Sequence, residues 1–182
     1  MSFPFNPDDA RRGANLANSV YNTDKAGYQP PPGFRLIEGM TKTDPKTGFS
    51  AAAYEHPVTG KVWVAFRGTD DLKDILNADR DIALQHNMSG GLKAQLKQAH
   101  EFTDRVLRER PGEDLQFTGH SLGGALAQVE AARRNSTAYT YEAPGMRPYM
   151  DRHFPDATTA DPSKLHHFYR EGHVNSDGTL VS

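Results

Sequence analysis

The sequence predicts an α/β fold with a mixed, mostly parallel sheet and helices on both of its faces. Short apolar segments of strand type alternate with segments whose apolar residues recur at helical spacing. The early strand segments follow one another through short turns, whereas the later ones are separated by helices, which is typical of hairpins followed by β-α-β crossovers. A chain of 182 residues fits a single domain spanning residues 1–182.

The N-terminal third is predicted to hold one helix and three strands. Asp8 or Asp9 is expected to cap a helix that extends through Asn22, in which Leu16 and Val20 lie one turn apart. A proline-rich segment then breaks the chain before the first strand. The three strands are predicted at residues 34–40, 49–56 and 61–67, of which the last two form a hairpin.

The remainder of the chain is predicted to alternate between helices and strands. Helices are expected at residues 72–83, 92–110 and 122–134. Strands are expected at residues 115–118, 138–141 and 164–170. Ligands of such sheets bind at the carboxyl ends of the strands, so the loops there are the expected site.

Charge, hydropathy and cysteine content argue against several kinds of protein. The net charge is −2 and there is no basic run, which argues against nucleic-acid binding. The mean hydropathy is −0.71, and no apolar stretch approaches the length of a transmembrane segment. There are no cysteines, so disulfides are excluded. The N-terminus lacks the pattern of a Sec signal peptide, and we expect a cytoplasmic protein or one exported by another route.

The most informative motif is Gly-His-Ser-Leu-Gly at residues 119–123, a G-x-S-x-G pentapeptide. An apolar strand segment precedes it and a helix-forming segment follows it, which is the context of a nucleophile elbow. In such an elbow Ser121 lies on a sharp strand-to-helix turn, and the backbone N–H of Leu122 faces a developing oxyanion. The other reading is an ordinary tight turn with a surface serine.

Three blocks of sequence resemble the class 3 lipases, the family of fungal triacylglycerol lipases and their bacterial relatives. Residues 119–124 resemble the elbow of that family, residues 62–70 its strand ending in F-R-G-T, and residues 141–147 its T-F-G-x-P-R segment. The blocks occur in the family's order, and the resemblance covers about residues 35–180. It implies an α/β-hydrolase fold.

The resemblance also implies roles for individual residues. Thr69 corresponds to the first oxyanion-hole residue, beside the Leu122 N–H; the other reading of Thr69 is helix capping, and the two roles are compatible. Asp177 corresponds to the acid in the segment resembling R-V-V-N-x-x-D, with an Asp-Gly turn as the alternative. A rival alignment places His173 at the acid position, in which case the acid is missing.

The catalytic base is the main departure from the family, in which a histidine follows the acid. No histidine follows Asp177 in this sequence, and the expectation is therefore a domain that lacks its C-terminal part. His173 is a candidate base within the chain, although it is close in sequence to the acid. The other histidines of the second half lie out of the family's order: His153, His166 and His167.

Two further features of the sequence, a possible lid and a group of histidines, are weaker indications of function. Residues 77–91 occupy the place of the family's lid, with Gly90 and Gly91 as a candidate hinge; a surface helix and loop is the alternative. His166, His167 and His173, with Asp177 or Glu171, match no standard zinc spacing, and neither a metal nor a cofactor is predicted.

The sequence thus predicts a serine esterase or lipase that hydrolyses carboxylic esters of acyl lipids or phospholipids through an acyl-enzyme. Its expected partners are a lipid or small ester substrate and, transiently, a lipid interface. The alternatives are a truncated or degenerate domain that binds without turnover, an exported antibacterial lipase effector, and a peptidase or thioesterase of the same fold.

Overall fold

The computed structural model describes residues 5–68, 90–154, 161–169, 173–174 and 180–181. Within them lies a six-stranded sheet with the strand order β1-β2-β3-β4-β5-β6. The first three strands pair antiparallel and the last four, from β3 onward, pair parallel. The strands are β1 (Arg35–Asp44), β2 (Phe49–His56), β3 (Lys61–Phe66), β4 (Leu115–His120), β5 (Thr137–Tyr141) and β6 (Leu165–Phe168). The predicted mixed, mostly parallel sheet is confirmed.

Helices cover both faces of this sheet, as predicted. The helices are α1 (Pro7–Ser19), α2 (Gly90–Glu109), α3 (Leu122–Arg134) and α4 (Arg147–His153), with short 3₁₀ turns at Val20–Asn22 and Pro162–Lys164. Helix α1 contacts β3, β4 and β5 on one face, and α3 contacts β3, β4 and β5 with α2 beside it on the other. This is the α/β-hydrolase arrangement.

Strand β3 shows how the two cores divide. Val64 and Phe66 pack into the larger core with α2 and α3, whereas Trp63 and Ala65 pack into the smaller core under α1. All four side chains are fully buried. A strand covered on both faces is apolar at every position rather than at alternate ones, which explains the continuous Val-Trp-Val-Ala-Phe run.

Helix α1 begins two or three residues earlier than predicted. Its N-cap is Asn6, whose side-chain oxygen accepts hydrogen bonds from the N–H groups of Asp8 at 2.9 Å and Asp9 at 3.2 Å. The prediction of Asp8 or Asp9 as the cap is wrong. Pro7 explains the difference, because proline favours the first helical position and needs no partner for a backbone N–H.

The later elements follow the prediction with a few exceptions. Helix α3 has the predicted bounds, whereas helix α4 and a small antiparallel pair, β7 (His173–Val174) with β8 (Leu180–Val181), were not expected. The predicted helix at residues 72–83 lies outside the described residues. In the parts of the chain that the structure describes, no helix has both the length and the apolarity to cross a membrane.

Candidate active site

Ser121 occupies the sharp turn between β4 and α3. Its backbone has φ 56° and ψ −126°, outside the regions that non-glycine residues ordinarily adopt. Its N–H donates to the Tyr141 carbonyl of β5 at 2.9 Å, and its own carbonyl accepts from Gly124 N–H at 3.0 Å. Strain of this kind costs about 1–3 kcal/mol and persists where surrounding contacts hold it, often at functional sites. The side chain is half-buried and thus partly open to solvent.

The glycines of the pentapeptide permit a very close approach of neighbouring backbone. A Cβ on Gly119 would lie 2.3 Å from the carbonyl carbon of Gly123, on the other side of the turn. A Cβ on Gly123 would lie 2.1 Å from the Phe66 carbonyl oxygen at the end of β3. These separations exclude any side chain at either position, at Gly119 because the turn closes on itself and at Gly123 because the end of β3 packs against the elbow.

The start of α3 faces the same edge of the sheet. Helix geometry leaves the first N–H groups, including that of Leu122, without an intrahelical acceptor, and the helix dipole adds partial positive charge. The Ser121 side chain makes no capping hydrogen bond to this helix end within the described chain. The arrangement can therefore offer N–H donors to an anion that forms beside Ser121.

A tyrosine from the N-terminal part of the chain joins two parts of this site. Tyr21 Oη accepts a hydrogen bond from the Gly68 N–H at 3.2 Å and lies 3.3 Å from His120 Nδ1. The Tyr21 and His120 rings meet edge to face, with their centroids 6.4 Å apart. Gly68 precedes Thr69, so Tyr21 ties the loop after β3 to the elbow.

The segment after β5 is held in an unusual conformation. Glu142 has φ 49°, in the left-handed region, and its N–H donates to the Phe168 carbonyl at 2.8 Å. The buried Gln128 of α3 fixes the next residues, donating to the Pro144 carbonyl at 2.8 Å and accepting from Met146 N–H at 3.0 Å. In the T-F-G-x-P-R pattern glycine stands where this chain has Glu142, and glycine suits that backbone better.

A cavity of about 440 Å³ opens beside the elbow, and we call it the elbow cavity. It lies between α1 and the carboxyl ends of β4, β5 and β6. That end of the sheet is where ligands of α/β proteins bind. Its lining includes Asn18, Tyr21, His120, Tyr141, Glu142 and Phe168.

The structure describes some of the predicted site residues, whereas others lie outside the described parts of the chain. Ser121 and Leu122 lie at the elbow as expected, whereas Thr69 and Asp177 lie outside the described residues. His173 is the first residue of β7, and its side chain is outside what is described. Most of the proposed lid at residues 77–91 is outside as well, and Gly90 and Gly91 begin α2.

The two adjacent histidines of β6 occupy opposite faces of the sheet, as the strand period predicts. His166 stacks on Tyr139 with ring centroids 4.8 Å apart, and His167 Nδ1 lies 2.7 Å from Thr140 Oγ1. Burial lowers the pKa of both imidazolium groups, and the charge of His166 lowers that of His167 further. Among the described residues no group of three potential ligands could hold a metal ion.

Sequence reasoning missed two residues of the site, Tyr21 and Glu142. Tyr21 lies outside every motif and reaches the elbow only because α1 crosses the sheet. Glu142 left a signal, because it replaces the glycine of the T-F-G-x-P-R pattern.

Solved structures that this chain resembles include fungal lipases. The Lip2 lipase of Yarrowia lipolytica superposes with a TM-score of 0.58 at 21% identity, over 91% of this chain and 72% of that one. A lipase of Rhizopus microsporus var. chinensis gives 0.58 at 18% identity, over 91% of this chain and 67% of that one. At such identities the likeness establishes the fold.

Sequence comparison adds a bacterial relative and a family. The chain is 30% identical over 118 residues to the extracellular phospholipase A1 of Serratia liquefaciens, covering 62% of this chain. The chain spans 33% of the length of that protein and 13% of the length of another curated relative, the putative lipase ATG15 of Eremothecium gossypii. The family model of the Tle-like phospholipase domain matches residues 12–177, nearly the whole chain and all of the described elbow. This chain therefore belongs to the Tle-like phospholipase domain family.

Proposed function

We propose that this domain is a serine-dependent hydrolase of carboxylic esters in phospholipids. The observation that carries the proposal is the strained backbone of Ser121, at the carboxyl end of a central parallel strand and at the start of α3. A serine in an ordinary surface turn needs no such conformation. The family and the phospholipase relative support an ester of a phospholipid as the substrate.

The proposed reaction has two steps. Ser121 Oγ attacks the ester carbonyl while a base takes its proton. The oxyanion that forms accepts a hydrogen bond from the Leu122 N–H. The carbonyl re-forms, the alcohol leaves with the proton from the base, and an acyl-serine remains. Water then attacks this ester with the help of the same base, which releases the fatty acid and restores the hydroxyl. No oxidant, reductant or cofactor enters this balance.

We assign the remaining roles from the resemblance and the chain order. Thr69, directly after Gly68, supplies the second oxyanion donor. Asp177 is the acid and His173 the base within this chain. We choose His173 because it is the last histidine of the sequence, and the family's base comes late in the chain order.

The proposal is tested by hydrolysis of p-nitrophenyl butyrate and of phosphatidylethanolamine vesicles. Ser121→Ala should remove turnover of both esters and labelling by a fluorophosphonate. Ser136→Ala, the same change at the residue directly before β5, should leave both turnover and labelling unchanged. Equal turnover by the wild type and Ser121→Ala would overturn the proposal and favour the alternative, a domain that binds lipid without hydrolysis.

A second pair of variants tests the base. His173→Ala should lower kcat about a thousandfold or more, because nucleophile and base act as a unit. His153→Ala, on the exposed end of α4, should have no such effect. Full activity of His173→Ala together with loss in Ser121→Ala would assign the base to another residue and retain the serine mechanism.

A further inference from the structure

A second cavity lies at the end of the sheet opposite the elbow, and we call it the amino-end cavity. The first turn of α1 and the amino ends of β3, β4, β5 and β6 enclose it, and its volume is about 330 Å³. It shares no lining residue with the elbow cavity. Gln116 in its wall lies about 16 Å along β4 from Ser121, so the hydrolytic mechanism gives this cavity no role.

The charged groups around the amino-end cavity already have partners inside the protein. Asp9 is 2% exposed, and its two carboxylate oxygens accept hydrogen bonds from Lys61 Nζ at 2.5 Å and from Arg12 at 2.8 Å. Lys164 Nζ donates to the Asn135 carbonyl at 2.6 Å. An ion that entered the cavity would therefore have to displace an existing partner, which favours a neutral ligand.

Two buried oxygens of the wall have no partner in the described chain. Tyr139 is 3% exposed, and its hydroxyl makes no hydrogen bond to any described residue. Gln116 is also 3% exposed; its amide N–H donates to Asp114 at 3.1 Å, whereas its amide oxygen accepts from no described residue. Neither oxygen is fully enclosed by protein, so both open into the cavity. Buried polar atoms nearly always have a partner, and here it has to come from the cavity.

The neighbouring groups of the wall are neutral and can both donate and accept. Burial, with the Asp9 charge nearby, raises the pKa of the Tyr139 hydroxyl to about 12, so the hydroxyl keeps its proton. Burial lowers the pKa of His166, whose neutral imidazole has one donor and one acceptor. The Thr137 hydroxyl lines the same wall. Hydroxyl groups match such a wall best, because each of them donates and accepts.

The aromatic rings at this end of the sheet offer no open face. His166 of β6 stacks on Tyr139 with the centroids 4.8 Å apart, and Trp63 of β3 lies on the other side at 5.8 Å. Phe5 meets the His166 ring edge to face at 5.7 Å. A planar aromatic ligand or a quaternary ammonium ion needs an open ring face, so the cavity suits neither. Recognition there depends on hydrogen bonds.

We propose that the amino-end cavity binds a neutral polyhydroxyl compound of monosaccharide size, a sugar or a cyclitol, through the Tyr139 hydroxyl and the Gln116 amide oxygen. Its volume is at the lower end of the range of small-molecule sites, and one water takes only about 30 Å³ in the liquid. This binding is independent of the proposed hydrolysis, because the two sites lie at opposite ends of β4.

The test is saturation-transfer difference NMR on the full 182-residue chain. The neutral probes are methyl glucoside, methyl galactoside, methyl mannoside and myo-inositol, and the charged comparators are glucuronate and glucosamine. At least one neutral probe should bind with a Kd of about 1–10 mM, because only neutral hydrogen bonds contribute. Both charged sugars should bind at least about threefold more weakly than that probe. Binding of none of the neutral probes, which would mean that the cavity holds water only, would overturn the proposal, as would equal or tighter binding of a charged sugar.

Substitutions that remove single hydroxyls assign the binding to this cavity. Tyr139→Phe keeps the stacked ring, and its thermal unfolding midpoint should stay unchanged, because the hydroxyl bonds no described residue. It should weaken binding about three- to tenfold, and so should Thr137→Val, which keeps the shape of that side chain. Tyr149→Phe removes a hydroxyl on the other face of the sheet and should retain the affinity. Unchanged affinity in both Tyr139→Phe and Thr137→Val would overturn the proposal.

Ser121→Ala separates this site from the elbow. The neutral sugar should bind this variant as tightly as it binds the unmodified chain, because Ser121 and the amino-end cavity lie at opposite ends of β4. Loss of binding in Ser121→Ala would place the sugar at the elbow and overturn the assignment.

Discussion

The hydroxyl of Tyr21 accepts the Gly68 N–H at 3.2 Å, across 47 residues of sequence. Gly68 is packed so tightly that a Cβ there would lie 2.6 Å from the His120 carbonyl oxygen. One hydroxyl from the N-terminal part thus holds the end of the β3 segment against the elbow. In the proposed mechanism Thr69, the residue after Gly68, is the second oxyanion donor, so we assign Tyr21 a positioning role rather than a contact with the reacting bond.

Tyr21→Phe is therefore expected to lower kcat for p-nitrophenyl butyrate about three- to tenfold with little change in KM. The loss should be smaller than the 10²–10³-fold typical of removing an oxyanion donor itself, because only its positioning is affected. Tyr28→Phe is the matched control, since its hydroxyl binds Ser19 and Tyr54 away from the elbow. A kcat unchanged in Tyr21→Phe, or lowered equally in Tyr28→Phe, would contradict a positioning role.

Gly123→Ala should destabilise the fold strongly. The added Cβ would meet the Phe66 carbonyl oxygen at 2.1 Å, and neither backbone can move without disturbing the sheet. We expect a loss of about 3 kcal/mol or more in the free energy of unfolding in urea, at the upper end of overpacking effects. Gly145→Ala, where a Cβ has no neighbour within 4 Å, should change it by less than about 0.5 kcal/mol. Similar values for the two variants would show that β3 does not press on the elbow.

Arg134→Ala should lower the free energy of unfolding, because it breaks a buried ion pair. Glu130 is fully buried and pairs with Arg134, which also donates to Asp104 of α2 at 2.7 Å. Breaking a buried pair costs about 3–5 kcal/mol at neutral pH, whereas Arg147→Ala at an exposed pair should cost less than about 1 kcal/mol.

The pH dependence of that loss follows from the Glu130 carboxyl. Burial raises its pKa and the nearby Arg134 charge lowers it, so without Arg134 the pKa rises further. A raised pKa in the fold favours the protonated form, and its penalty grows as pH rises through that pKa. The destabilisation by Arg134→Ala should therefore be smaller at pH 5 than at pH 8 in urea unfolding. An equal loss of unfolding free energy at pH 5 and pH 8 would contradict this account.

His166→Phe should weaken the acid sensitivity of the domain. Burial lowers the pKa of His166, so between that pKa and its ordinary value of about 6.5 the unfolded chain binds more protons. Stability from this residue is complete above about pH 6.5 and declines as pH falls below it. Phenylalanine keeps the ring against Tyr139 without a titrating group. The free energy of unfolding between pH 5 and 7 should slope less in the variant, and identical slopes would refute the assignment.

The sequence predicted those parts of the fold whose signals are local. Helix α3 begins where the elbow ends, at Leu122, and stops at Arg134 before Asn135 in the left-handed conformation, so both bounds were correct. Helix α4 was missed because seven residues with a proline near the start carry no helical period. The cap of α1 was misplaced because Asp8, Asp9 and Asn6 are all good caps, and the prediction did not weigh the preference of Pro7 for the first helical position.

In the candidate site, only the positions of residues that are contiguous in sequence could be predicted. Ser121 and Leu122 belong to one contiguous motif, and the fold places them as that motif requires. Tyr21 and Glu142 reach the site through sheet topology, which brings distant segments together. The roles of Thr69, Asp177 and His173 stay predictions.

The contact between α1 and the sheet has a consequence for any rearrangement of this domain. Thr118 of β4 donates to the Gly13 carbonyl at 2.9 Å, and Tyr141 donates to the Ala10 carbonyl, so the N-terminal helix is bonded to the same two strands that present the elbow. A fragment that begins at β1 would keep Ser121 in sequence but leave Trp63 and Tyr139 facing water. Grafting or shuffling of this domain must therefore carry the first helix along with the pentapeptide.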